Sequence, residues 1–522
     1  MIIRSRYPDV MIPDVSLSGY IFENVDQWLD LPALIDGPTG RALSYRELRI
    51  LIGKVGVALK ARGFRKGDAL CIWSPNIPEY AAVFFGVASI GAVNTTANPM
   101  YTAREVANQL RDSSAKIMVT VPALAERALE AVQLAGVEIE VVVFGEFAGC
   151  TSWASFIAVD GTPPAVEIAA ADDVVALPYS SGTTGLPKGV MLTHRNLVAN
   201  LVQCEFIDDA KPGDRTIGVL PFFHIYGMVV ILCMVLRRGA CVVTMPQFDL
   251  ETYLRLTQDH KVRTAYLVPP IALALAKHPS VANYDLSALE MINSGAAPMG
   301  PELERACADR INCLVKQGYG MTEASPVTHF TPSDAALIRH GSCGLLIPNT
   351  ECRIVDIESR QDVERGERGE LLIRGPQIMK GYLNRPDATA EAIDEDGWLH
   401  TGDVGYADTD GYFFIVDRLK EFIKYKGYQV APAELEAILL THPSVADCAV
   451  IPSADEEAGE IPKAYIVARG ECSVQELIDF VAAAVAPYKK VRAVEFIERI
   501  PKSAAGKILR RELIARERAA RQ

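Results

Sequence analysis

The sequence predicts an α/β fold: a large N-terminal part built of several sheets, followed by a smaller α+β part. Three observations lead there. Runs that read as buried strands alternate with runs that read as helices through most of the chain. Glycines then crowd a strand-and-turn region from Gly369 to Gly411. After Asp417-Arg418-Leu419-Lys420 a compact α+β pattern begins, and the roughly one hundred residues left are an ordinary small-domain size.

The elements follow in order. Ala69 to Trp73 is apolar throughout and reads as a buried strand, as does Val141 to Phe144. Ala81 to Ala92 and Glu105 to Asp112 read as helices, and Met291 to Asn293 as a strand. Met228 to Leu236 is the longest strongly apolar stretch; it falls well short of the ~20 residues needed to span a bilayer. Arg237 and Arg238 close it, so it reads as a buried helix. Beyond the boundary, Glu434 to Leu440 and Val474 to Val485 read as helices, Cys448 to Ile451 and Ala464 to Val467 as strands. The division expected is 1–417, a connection at 418–420, and 421–522.

Composition narrows the function. A net charge of −13 over 522 residues argues against a general nucleic-acid surface, so any phosphate site is a local basic patch in an acidic body. The 11 cysteines show neither Cys-x-x-Cys spacing nor histidines at metal spacing, which fits reduced, mostly buried thiols. Arg4 and Arg6 stand beside Asp9 and Asp14 with no apolar run, and the terminal Ala-Ala-Arg-Gln is no peroxisomal address. A cytoplasmic protein without stable membrane insertion is expected.

Ser180-Ser181-Gly182-Thr183-Thr184-Gly185-Leu186-Pro187-Lys188-Gly189 is the most telling stretch. Hydroxyls, exposed backbone N–H groups and one ammonium are what a loop needs to hold a polyphosphate, and glycine lets the backbone come close. Pro187 before Lys188 and Gly189 after it exclude the ordinary P-loop, which requires Gly-Lys-Ser/Thr. A flexible connector is the competing reading. The single lysine, the proline and the immediate return to Val190-Met191-Leu192 speak against it.

This stretch resembles the phosphate-binding signature of the adenylate-forming superfamily, which includes acyl-CoA ligases, luciferases and peptide-synthetase adenylation domains. The similarity covers nearly the whole chain, and the 4-coumarate:CoA ligases are the branch it looks most like. The resemblance implies a hinge and a mobile C-terminal lid, and ATP, Mg²⁺ and coenzyme A as co-substrates.

Other motifs take their place in that frame. In Gly318-Tyr319-Gly320-Met321-Thr322-Glu323 the glycines allow close approach, the tyrosine offers a flat face to a purine, and Thr322 and Glu323 suit Mg²⁺ with phosphate oxygens. The resemblance puts adenine on Tyr319 and the metal near Glu323 and Thr184. Small residues in Ser294-Gly295-Ala296-Ala297-Pro298 let a ligand lie against backbone, and the family lines its adenine and acyl pockets here. Asp403, in Thr401-Gly402-Asp403, resembles the family's ribose ligand; a carboxylate suits a diol because it only accepts. Arg418 joins it on the ribose side, and Gln317 completes the nucleotide set.

In Lys420-Glu-Phe-Ile-Lys424-Tyr-Lys426-Gly427-Tyr-Gln429 the resemblance places Lys420 at the hinge, Lys424 and Gln429 near the acyl-adenylate, and Lys426 and Gly427 along the CoA channel. Pro501-Lys502-Ser503-Ala504-Ala505-Gly506-Lys507 resembles the motif that carries the family's catalytic lysine, here Lys507. A cation there offsets the repulsion between an attacking carboxylate and the α-phosphate. His224, in Pro221-Phe-Phe-His224-Ile-Tyr226-Gly, is either a satisfied core histidine or a catalytic gate beside the acyl pocket. Tyr226, Ser294, Ala296, Gln317, Gly318 and Val327 outline an apolar acyl slot suited to an aryl-propenoate or a medium-chain fatty acid. Gln247 stands where relatives often carry a basic residue for CoA, which predicts weaker CoA affinity.

The expected activity is ATP-dependent ligation of a carboxylic acid to CoA through acyl-AMP, most of all on a hydroxycinnamate-like acid. The alternatives are a fatty acyl-CoA ligase, an adenylating enzyme that loads a carrier protein or oxidises its adenylate, and a non-catalytic nucleotide sensor. The intact Lys188 and Lys507 argue against the sensor.

Overall fold

The computed structural model describes residues 1–180, 187–205, 210–426, 428–455, 457–504 and 506–521. Its largest sheet has eight strands in the order 381–382, 188–193, 174–180, 93–96, 69–73, 115–120, 140–143 and 151–152. From Val174–Ser180 onward the neighbours run parallel. Lys188–Thr193 instead returns antiparallel on Val174–Ser180, with Lys188 opposite Ser180. The signature stretch is therefore the connection of this hairpin, leaving from the carboxyl end of a parallel strand, where open α/β sheets bind ligands. Central strands such as Ala69–Trp73 are buried end to end, which explains their unbroken apolar sequence.

A five-stranded sheet carries the second motif. Thr264–Leu267, Met291–Ser294 and Leu314–Gly320 run parallel, and Val327–Phe330 and Leu345–Leu346 extend it antiparallel. A four-stranded sheet includes Pro32–Asp36 and Cys241–Thr244. An antiparallel five-stranded sheet ends in Leu399–Ala407 and Phe413–Arg418, which pair Asp403 with Arg418. After it, Ile423–Tyr425, Tyr428–Val430, Val445–Asp455, Gly459–Ala468 and Ala493–Phe496 form a sheet with helices Pro432–Leu439, Val474–Ala484 and Arg510–Arg521. One hydrophobic cluster there, from Ile423 to Val491, draws only on residues of this last part.

Several bounds differ from the sequence reading, each for a local reason. The helix read as Ala81 to Ala92 spans Pro78–Ser89: Pro78 opens it, and Gly91 at φ 69° leaves the helical conformation. The apolar stretch after His224 is a π-helix over Tyr226–Cys233 that becomes α-helical only at Met234–Arg237. Such widened turns collect at functional sites. Gly227 inside it lies so close to Pro221 that a Cβ would stand 2.2 Å from that carbonyl oxygen. No helix among the described residues is long and apolar enough to cross a membrane.

Candidate active site

A cavity of about 700 Å³ lies between the antiparallel and parallel sheets and the C-terminal part. Its walls include Ala296, Gln317, Gly318, Tyr319, Gly320 and Asp403 from the first part of the chain, Arg418 from the connection, and Lys507 from the last part. Residues more than two hundred apart in sequence meet here.

Tyr319 and Asp403 form one side. The phenol donates to Asp403 Oδ2 at 2.6 Å, and Arg418 Nε reaches Asp403 Oδ1 at 3.1 Å. Burial pushes the Asp403 carboxyl up, while Arg418, the Tyr319 hydroxyl and the Lys507 ammonium hold it down. Behind Tyr319 the His329 ring lies 5.5 Å away and itself packs 4.2 Å from Phe413. Burial draws His329 down to about 3, so this ring is a neutral support. Close backbone approach is enforced at Gly320, where a Cβ would lie 2.0 Å from the Pro326 carbonyl oxygen.

Lys507 arrives on a tight turn. Ser503 donates its N–H to the Lys507 carbonyl at 2.7 Å, and the Lys507 N–H returns to the Ser503 hydroxyl at 3.1 Å. Gly506, at φ 77°, seats this turn against Val268 and Pro270; a Cβ would come 2.9 Å from Val268 Cγ2. Burial and then the Arg418 cation lower the Lys507 ammonium, and Glu421 and Asp403 oppose them. Lys507 also faces His224: burial, and after it this cation, pull His224 down to about 4. His224 Nδ1 accepts the Tyr226 N–H at 3.3 Å, so Nε2 carries the proton of a neutral ring.

The edges of the signature loop meet Glu323. Its Oε1 accepts the Ser180 hydroxyl at 3.0 Å and the Tyr382 hydroxyl at 2.9 Å, and Lys188 lies 4.8 Å from the centre of the Tyr382 ring. Thr322 shares the 3₁₀ turn with Glu323. Ser181, Gly182, Thr183, Thr184, Gly185 and Gly427 lie outside the described residues. No group of three or more His, Cys, Asp or Glu among the described residues is arranged to hold a metal ion. Glu323 is a single carboxylate beside the Ser180 and Tyr382 hydroxyls, and a lone carboxylate with hydroxyl oxygens suits a hard cation that also binds phosphate and water.

Tyr226 packs against Gly295, where a Cβ would come 3.0 Å from the ring, and its hydroxyl donates to the Asn293 carbonyl at 3.2 Å. Ala296 takes φ 69°, turning the chain at the cavity wall. Ser294 is buried and its hydroxyl has no partner among the described residues. Gln317 is committed elsewhere: its amide donates to the Met299 carbonyl at 2.9 Å and to Glu304 at 2.8 Å, and accepts the Met299 N–H at 2.9 Å. It braces the turn after Ser294 with its polar atoms while its body lines the cavity. Val327 is buried, its backbone bonded to Asn200 through both N–H and C=O.

The lysine-rich run divides. Lys424 and Gln429 are cross-strand neighbours, both exposed, and neither they nor Lys420 and Lys426 line the cavity. Lys426, at φ 46°, is ion-paired with Glu457. The arrangement brings Lys507 to the cavity and leaves this run outside. Two residues at the site escaped the sequence reading. Tyr382 sits in a two-residue edge strand with no pattern of its own. Glu421, which faces Lys507, was masked by the lysines around it.

Comparison with known proteins identifies the family. The family model for AMP-binding enzymes matches residues 21–383, and that for the AMP-binding enzyme C-terminal domain matches residues 434–507. A 4-coumarate–CoA ligase of Pinus taeda is 46% identical over 525 residues, covering 98% of this chain and 97% of the relative. 4-Coumarate–CoA ligase 5 of Oryza sativa subsp. japonica is 45% identical, covering 99% and 97%. Among solved structures, the anthranilate CoA ligase AuaEII in complex with anthranoyl-AMP superposes with a TM-score of 0.91 at 26% identity, covering 98% of this chain and 99% of that one. ATP-bound MatB from Rhodopseudomonas palustris gives 0.88 at 26% identity, covering 98% and 100%. The chain belongs to the AMP-binding enzyme family.

Proposed function

We propose that this chain joins a hydroxycinnamate-like aryl acid to coenzyme A. Its reaction is the ATP-dependent, AMP-forming ligation of a carboxylic acid to CoA. A carboxylate oxygen attacks the α-phosphorus of ATP, pyrophosphate leaves, and acyl-AMP forms. The CoA thiol sulfur then attacks the acyl carbon, the bond to AMP breaks, and the thiol proton passes to solvent. The observation that carries the first step is Lys507 in one cavity with Tyr319, Asp403 and Arg418. The aryl acid and CoA rest on the 4-coumarate–CoA ligases, 44–46% identical over almost the whole chain.

In this reading adenine lies on Tyr319 and the ribose diol donates to Asp403, whose second oxygen is fixed by Arg418. Ser180 to Lys188 and Gly295 hold phosphates and base, and Glu323 with Thr184 would hold Mg²⁺. When bound, that ion supplies positive charge to the phosphate oxygens. Lys507 lies between the anions as they meet, and its ammonium offsets their repulsion. His224, neutral and with Nδ1 engaged, acts as a hydrogen-bond donor and gate through Nε2. The second step requires Lys424, Lys426, Gly427 and Gln429 in place of Lys507, so the part after 420 rotates on Lys420 between the steps.

Lys507→Ala tests the assignment. Pyrophosphate release should fall by about 10²–10³-fold, as for loss of a transition-state donor, while thioester formation from supplied acyl-AMP continues. Equal loss of both steps would remove Lys507 from its role.

A further inference from the structure

Resting on the two-step reading above, we infer that Lys277 and Asp417 are positioning residues for adenylation: they grip the helix Pro432–Leu439 at its two ends and so hold Lys507 over the cavity. The helix has no side-chain cap of its own at its N-terminus, where Ala431 stands. Asp417 supplies one from the other side of the connection, its Oδ2 accepting the Ala433 N–H at 2.9 Å. Its Oδ1 accepts the Arg418 N–H at 2.7 Å, so the carboxylate is fixed at both oxygens. At the opposite end Lys277 Nζ donates to the Leu440 carbonyl at 2.6 Å.

Each charge matches the helix end it meets: an anion at the N–H groups, a cation at the free carbonyls. The middle of the helix is seated as well, since a Cβ on Gly300 would come 3.3 Å from Ala437 Cβ. Lys277 closes the helix Pro269–Lys277, and Pro270 near that helix's start lies under the Gly506 turn that carries Lys507. One helix of the large part thus contacts the small part at both ends.

These contacts differ in kind from the ion pairs nearby. Arg510 bonds both Glu436 oxygens at 2.7 Å and reaches Glu421 at 2.8 Å, and Lys489 bonds Glu434. Those pairs lie within residues 421–522 and travel with them. A rotation about Lys420 keeps them and breaks the two grips. Lys277 and Asp417 also line the cavity, and through these two grips they favour the adenylation arrangement alone.

The test separates the half-reactions in full-length protein. In Lys277→Met, pyrophosphate release without CoA should fall about tenfold, the scale of one charge-assisted hydrogen bond. Thioester formation from supplied acyl-AMP should hold or rise. Lys277→Arg, which keeps a donor, should restore the first step. Ala437→Leu, which pushes the helix off Gly300 without touching a charge, should show the same split. Equal losses in both half-reactions, or wild-type ratios in Lys277→Met and Ala437→Leu, would overturn the proposal. A wild type that forms thioester from acyl-AMP yet releases no pyrophosphate would overturn the functional reading, and this inference with it.

Discussion

At the scale of single residues, the site is a set of charges kept in defined states by burial. His329 shows this most plainly. Wedged between Tyr319 and Phe413 and drawn to about 3, it is neutral when folded and protonates below ~6.5 when unfolded. The sign follows. A depressed histidine stabilises the fold above its unfolded value, and that contribution is lost as pH falls toward its folded value. His329→Phe, which keeps the ring and removes the titration, should flatten the decline of melting temperature between pH 6.5 and 4 relative to wild type. Parallel declines in both proteins would show that His329 is not held neutral. Tyr319, Asp403, Arg418 and Lys507, which share one cavity, were legible in sequence through their motifs. Side-chain commitments were not: nothing in the chain says that the Gln317 amide is bound to Met299 and Glu304.

At the scale of elements, glycine positions separate two physical requirements. Gly320 stands against backbone, with a Cβ 2.0 Å from the Pro326 oxygen, whereas Gly402 has open space and only a φ of 67°. Gly402→Ala should cost about 1–2 kcal/mol, the left-handed penalty. Gly320→Ala cannot be absorbed without moving the strand end that carries Tyr319, and should raise the KM for ATP as well as lower stability. Equal effects on melting temperature with unchanged KM would contradict the close-approach account. The helix read as Glu105 to Asp112 spans Ala103–Ser113, started two residues earlier by a capping box of Thr102 and Glu105 that apolar periodicity does not register. Bounds were also hidden where sequence rules conflict with tertiary pairing. Val445–Asp455 and Gly459–Ala468 are longer than the apolar cores read from sequence, partly because Pro452 and Pro462 lie opposite each other in the ladder. Proline in a strand interior argues against a strand, and here it sits within one.

At the scale of the whole molecule, Lys507 and Asp403 meet in one cavity although residues 418–420 lie between them in the chain. Periodicity reads local structure and has no term for this meeting, so sequence yielded it only through resemblance of the motifs. Lys424 and Gln429 are exposed and stand outside the cavity that Lys507 lines; in the proposed reading one small domain presents one face at a time. Tyr226 of the π-helix lies against Gly295, and Ala296, Gln317 and Gly318 line the cavity; in the proposed reading the combined shape of these residues sets the acyl preference. Thioester formation with ATP and CoA, measured across 4-coumarate, cinnamate, benzoate and medium- and long-chain fatty acids with pyrophosphate release followed in parallel, tests the central claim most directly. The account predicts CoA-thioester and stoichiometric pyrophosphate with the hydroxycinnamate-like acids. Pyrophosphate release without CoA-thioester, or thioester confined to fatty acids, would contradict it.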